Sequence, residues 1–206
     1  MKITKKLIFG VLLCSLTFIC LSISVYAEDF IALIQKNNAE ATFGYTRWVE
    51  KFEKEGSYSK PVYPDEYGGS YIDDNGKLVV LYVNDDTTSK LTRKNDLCKA
   101  TGIQDVKIDS VEYSYNDLLN TSDIIGDFIL NQYENQSTLK RLNEKENTMI
   151  DVEVVQSAID TKNNTVVVWM SDISDEAIEA FRKNISDEPY LTFKLAEGRP
   201  VLEASL

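Results

Sequence analysis

A hairpin–helix–strand pattern occurs twice in this chain, about ninety residues apart, and no other feature restricts the fold as much. Ser70-Tyr71-Ile72-Asp73 and Lys77 to Val83 are β-rich runs around Asp74-Asn75-Gly76. Asn-Gly accepts the positive φ angles of a tight turn, so this is a hairpin. Val152 to Ile159 and Thr165 to Met170 flank Asp160-Thr161-Lys162-Asn163-Asn164 in the same way. Laid on each other, Ile72-Asp73 matches Ile159-Asp160, and Leu78-Val79-Val80 matches Val166-Val167-Val168. Each hairpin leads to a predicted helix and then a strand. These are Ser89 to Ala100 and Val106 to Tyr113 in the first unit. In the second, Ser174 caps a helix to about Asn184, with Asp175 and Glu176 in its first turn, and Tyr190 to Leu195 follows as strand. Ile173 and Ile178 are spaced for a hydrophobic staple over that cap.

The remaining segments read as helix. Phe30, Leu33 and Ile34, then Trp48, Val49 and Phe52, predict a helix from Phe30 to Glu55 that Gly44 weakens or breaks. Gly56, Pro61 and Pro64 make a loop of Ser57 to Asp65. Tyr115 to Glu146 reads as a helical connector with a break near Asn135. The expected class is α+β, two small sheets each covered by helix. The expected segments are 28–62 for an N-terminal helix and loop, 63–114 for the first α+β unit, 115–150 for the connector, 151–197 for the second unit and 198–206 for an extended tail.

Residues 1–27 read as an export signal. Lys2, Lys5 and Lys6 precede an apolar run from Leu7 to Ile23, and Ser24-Val25-Tyr26-Ala27 supplies the small side chains of a cleavage site. The run falls short of the ~20 residues of a comfortable membrane span, which favours cleavage over the alternative, an uncleaved anchor. Cleavage leaves Cys98 as the sole cysteine of three, so no internal disulfide can form. A cysteine-poor exported chain of this length suits a Gram-positive bacterium and buries enough surface without cross-links.

Composition then narrows the chemistry. There is no histidine among 206 residues, which removes Ser-His-Asp and Cys-His machinery and His-containing zinc sites. A formal charge of −11 argues against nucleic-acid partners. Asp73-Asp74-Asn75-Gly76 does not fit a calcium loop, because Tyr71 and Tyr82 stand where that motif needs acids. Cys98 reads as core filler. Gly68-Gly69 precedes a strand, whereas a phosphate cradle opens a helix. No metal, cofactor or catalytic residue is implied, and no particular pair among the 33 acidic residues stands out for a carboxylate hydrolase. Two binding features remain. Gly198-Arg199-Pro200-Val201-Leu202 starts an extended tail that could lie in a protein groove as an added strand, with Arg199, Pro200, Val201 and Leu202 in contact. Tyr58, Tyr63, Tyr67 and Tyr71 form an aromatic stretch, either a stacking surface for cell-wall material or another ligand, or packing across the hairpin.

Tyr63-Pro64-Asp65-Glu66-Tyr67-Gly68-Gly69-Ser70-Tyr71-Ile72-Asp73, with Gly76-Lys77-Leu78-Val79-Val80, resembles the opening of the pro-region ahead of bacterial secreted chymotrypsin-like proteases of the alpha-lytic protease and streptogrisin type. Val154 to Phe193, with Val166-Val167-Val168 and Ser174-Asp175-Glu176-Ala177, is similar to the second half of such pro-regions. The resemblance implies two small α+β subdomains, a non-enzymatic role in folding or inhibiting a serine protease, and a C-terminal tail that blocks the protease cleft. The sequence stops at Leu206, where the protease of that family would begin. The expectation is therefore action in trans on a secreted protease, with a truncated longer precursor as the alternative.

Overall fold

The computed structural model describes residues 30–50, 63–83, 87–143 and 147–197. The chain is α+β, with two similar domains and three small sheets. Helix α1 (30–49) opens the first lobe, followed by β1 (Tyr67–Ile72), β2 (Leu78–Val83), α2 (Thr87–Thr101) and β3 (Lys107–Val111). The second lobe contains α3 (Tyr115–Asn135), β4 (Leu139–Asn143), β5 (Thr148–Val152), β6 (Val154–Asp160), β7 (Thr165–Met170), α4 (Asp175–Asn184) and β8 (Leu191–Leu195).

The repeat is real down to its irregularities. In both lobes a hairpin runs antiparallel and its second strand pairs parallel with the strand after the helix. Ile72 pairs with Leu78, as Ile159 pairs with Val166. Each first strand carries a bulge at the same place, between Tyr67 and Gly69 and between Val154 and Gln156. A bulge bends a strand and increases its twist, so both sheets curl around their cores in the same way. Val80, Leu78, Val106 and Ile108 centre the first core; Val166, Val168, Met170 and Phe181 centre the second.

Two expected helices differ from the structure. Gly44 does not break α1. A Cβ there would stand 2.4 Å from Ile103 Cδ1, so glycine lets the helix lie close on the first lobe. Ala41, Gly44, Tyr45 and Trp48 form the packed stripe, whereas Phe30 and Leu33 remain 56% and 53% exposed. The expected helix beyond Asn135 is a two-stranded sheet instead. Gln136 adopts a left-handed conformation at φ 50° and closes α3, and β4 and β5 then pair in register from Leu139–Val152 to Asn143–Thr148. Leu139 and Leu142 imitate a helical spacing, but only Leu139 is buried. This third sheet packs on α4, and Arg141 pairs with Asp172 in the connection between β7 and that helix.

The joint between the lobes is short and held by several hydrogen bonds. Ser114 caps α3: its hydroxyl accepts from Asp117 N at 3.1 Å and its own N–H donates to the Asp117 carboxylate. One residue on, the Tyr115 ring packs against Tyr63 and Tyr67 in the first lobe. Leu119 follows Tyr115 into that core, while Leu118 and Ile125 enter the second. Asn116 Nδ2 donates to Tyr63 O at 2.9 Å. On the other side Tyr113 stacks on Tyr190 with ring centroids 4.6 Å apart.

Candidate functional site

Strand β8 lies at the edge of the second sheet and leads directly to residue 198, where the expected tail begins. Tyr190 O accepts from Val166 N at 3.0 Å, and Ala196 N donates to Met170 O at 2.8 Å. In a parallel ladder, residues alternate between facing the neighbouring strand and facing away. Residues 190, 192, 194 and 196 therefore bond to β7, and Phe193 and Leu195 turn their peptide groups outward. Such an edge is a template for another strand.

The side chains around this edge come from three elements. Phe193 packs edge-on against Phe181 of α4, with centroids 5.1 Å apart, and the Arg182 guanidinium lies 5.5 Å over the ring. On the opposite face Lys194 Nζ stands 5.7 Å over the Trp169 ring, within cation–π range. Leu195 is half exposed. Val155, Trp169, Ile173, Phe193, Leu195 and Glu197 border an open hollow of about 700 Å³ beside the strand end. The hollow can receive side chains of a strand added to β8.

The support beneath it is charged but neutralised. Burial opposes charge on Asp172. The Ser174 N–H, 2.8 Å away, and the Arg141 guanidinium outweigh it and hold the carboxyl below its usual range. Ser174 occupies the N-cap position of α4, yet its side chain makes no cap bond, and Asp172 receives its N–H. Cap chemistry is thus displaced by two residues from the expected serine.

Of the residues expected to bind, Arg199, Pro200, Val201 and Leu202 lie outside the described residues, as does Tyr58. Tyr63 and Tyr67 correct the aromatic-surface expectation. They are buried, Tyr67 at 1% exposure, in a cluster with Trp48 and Tyr115. Aromatic bodies close the seam between α1, β1 and α3, and burial raises the Tyr67 phenol far above its ordinary pKa. Tyr71 alone of the four is described and only half buried. Asp73 is engaged within its own hairpin. Its Oδ1 accepts from Asn75 N at 3.0 Å and Lys77 N at 2.9 Å, and Lys107 pairs with the other oxygen. Cys98 is half buried against the first core and its thiol donates to Gln104 O. Among the described residues no three His, Cys, Asp or Glu side chains gather to hold a metal. Trp169 and Lys194 were not singled out by sequence reasoning. The available signal was a tryptophan directly after the β-branched run Thr165 to Val168.

The two lobes match known families separately. Residues 32–111 match the Pro-like N-terminal domain, and residues 116–195 match the Pro-like C-terminal domain. Each lobe is thus similar to a Pro-like domain. The boundary between the Pro-like domains falls at the Tyr113–Tyr115 joint, and β8 ends where the Pro-like C-terminal domain ends. No curated protein and no solved structure matches the chain.

Proposed function

We propose that this Pro-like chain is an exported, non-enzymatic protein-binding module. It engages a secreted chymotrypsin-like protease in trans, as an inhibitor or a folding assistant. The observation that carries this reading is the order of its parts: matches to both Pro-like domains, then β8, an edge strand among the described residues, leading toward the residues that the sequence reads as a tail. A partner strand adds to β8, its side chains enter the hollow by Trp169 and Leu195, and Arg199 to Leu202 continue into the partner's cleft. Main-chain bonds supply affinity in such an arrangement and the flanking hollow supplies selectivity.

The test adds purified chain to chymotrypsin-like proteases of the same organism, assayed for inhibition and for refolding yield. Inhibition or a higher yield is expected, and removal of residues 198–206 should weaken inhibition while leaving β8 pairing in place. No binding, no inhibition and no gain in yield across these proteases overturns the proposal.

A further inference from the structure

We propose that Asn164 is a clasp that makes the two Pro-like lobes a single cooperative body at a fixed angle. Four polar residues are buried among those described: Thr101, Thr121, Gln132 and Asn164. Thr101, Thr121 and Gln132 bond within the lobe that carries them. Asn164 acts across the joint. It sits in the β6–β7 turn of the second lobe, 7% exposed, and grips the peptide groups of Tyr113 in the linker. Its Oδ1 accepts from Tyr113 N and its Nδ2 donates to Tyr113 O, both at 2.9 Å.

A carboxamide bonded in this way imitates a strand neighbour, satisfying donor and acceptor of one residue together. Only Asn or Gln sets an N–H donor beside a carbonyl acceptor, as a peptide neighbour does, and Asn also tolerates the left-handed φ of 53° found here. The same turn touches the first lobe directly. A Cβ on Gly69 of β1 would lie 2.4 Å from Thr161 Cγ2 and 3.1 Å from the Tyr115 ring. Linker and β1 bulge are therefore both fixed by one turn, while Tyr115 and Asn116 anchor α3 to the first lobe. The linker peptide is thus held on one side and the α3 N-terminus on the other.

Gln132 provides an internal comparison. It grips Val154 in the same two-bond manner, with Nε2 donating to Val154 O at 3.2 Å and Oε1 accepting from Val154 N at 3.1 Å, but within the second lobe. Loss of Gln132 should destabilise that lobe without uncoupling it from the first.

Scanning calorimetry and hydrogen exchange of the full chain test the clasp. Wild type should unfold in one transition with equal calorimetric and van't Hoff enthalpies. Asn164→Gly keeps the left-handed backbone and removes both bonds. It should lower the first midpoint by about 5–10 °C, split the transition, and speed exchange of the Tyr113 amide by roughly tenfold or more. Asn164→Asp sets two acceptor oxygens against Tyr113 O and should be worse than Asn164→Gly. Gln132→Ala should shift the midpoint and preserve the enthalpy ratio relative to Asn164→Gly. Wild type and Asn164→Gly decide the matter, so a failure of Asn164→Asp to fold does not blunt the test. Two independent transitions in wild type, an unprotected Tyr113 amide, or Asn164→Gly as stable as wild type would overturn the proposal.

Discussion

At the scale of single residues, two glycines carry opposite consequences. Gly69 sits at φ 111°, where side-chain-bearing residues are strained, and its missing Cβ makes room for Thr161 across the joint. Gly69→Ala should cost about 1–3 kcal/mol, read from the denaturant midpoint. Gly126 lies within α3 with open space around its Cβ position, so Gly126→Ala should stabilise by about 0.5–1 kcal/mol in the same assay. An equal effect at both positions would refute the conformational argument. Sequence does not mark the difference: Gly68 and Gly69, expected to precede the strand, lie inside β1, and the need for glycine at 69 shows only once the bulge and the facing turn are known. The Asn-Gly turn was legible for the reverse reason. Its geometry is set locally by the bond from Gly76 N to Asp73 O at 2.8 Å, to which Asn37 Nδ2 of α1 adds a bond to Asn75 O.

At the scale of elements, legibility followed how far each one depends on remote contacts. The hairpins and α4 announce themselves through turn residues and period. The β4–β5 sheet does not. Lys140, Arg141 and Leu142 have no strict alternation, and what makes them a strand is Leu139 burying on the second core and Arg141 reaching Asp172 beyond β7. Helix α3 shows the other limit. Its apolar residues were visible, but not that adjacent Leu118 and Leu119 serve different cores. This assignment is testable. Leu118→Ala empties a fully buried site and should cost about 2–5 kcal/mol, whereas Leu119→Ala, only partly buried, should cost less. Amide exchange through local openings, below the shared global unfolding, should locate the first loss in β6 and β7 and the second in β1 and β2. Identical exchange patterns would refute the two-core reading of α3.

At the scale of the whole molecule, the acidic composition is held in check by specific pairs. Lys77 and Lys94 hold Asp105 below its usual pKa. The bond from Lys140 and then that from Thr138 lower Asp151. For Asp73 burial acts in the opposite direction and is outweighed by Lys107 and the turn amides; for Asp172 it is outweighed by Ser174 N and Arg141. A carboxyl with a lower pKa folded than unfolded contributes its stability above the ordinary carboxylate range. That contribution is lost as pH falls through about 4 toward the folded value. Thermal midpoints should therefore be flat above roughly pH 5 and drop below pH 4, and Asp172→Asn should make the acid side shallower. A midpoint that rises on acidification would contradict this. The partnered domains and class were readable because the repeat is long. The joint was not, since Asn164 and Tyr113 lie far apart in sequence and only the finished fold shows them bonded.

The parallel pairing of β8 with β7 has a bearing on timing. A ribosome delivers the chain from its N-terminus, and a parallel partner can be laid down only after the crossover helix has emerged. Tyr190, whose ring and hydroxyl brace Tyr113 and Thr121, arrives with this last element. Lobe one can close before lobe two is made, whereas lobe two and the brace between them wait for Tyr190 and Leu191–Leu195. The open edge of the second sheet thus takes shape only after the rest of its lobe has been made.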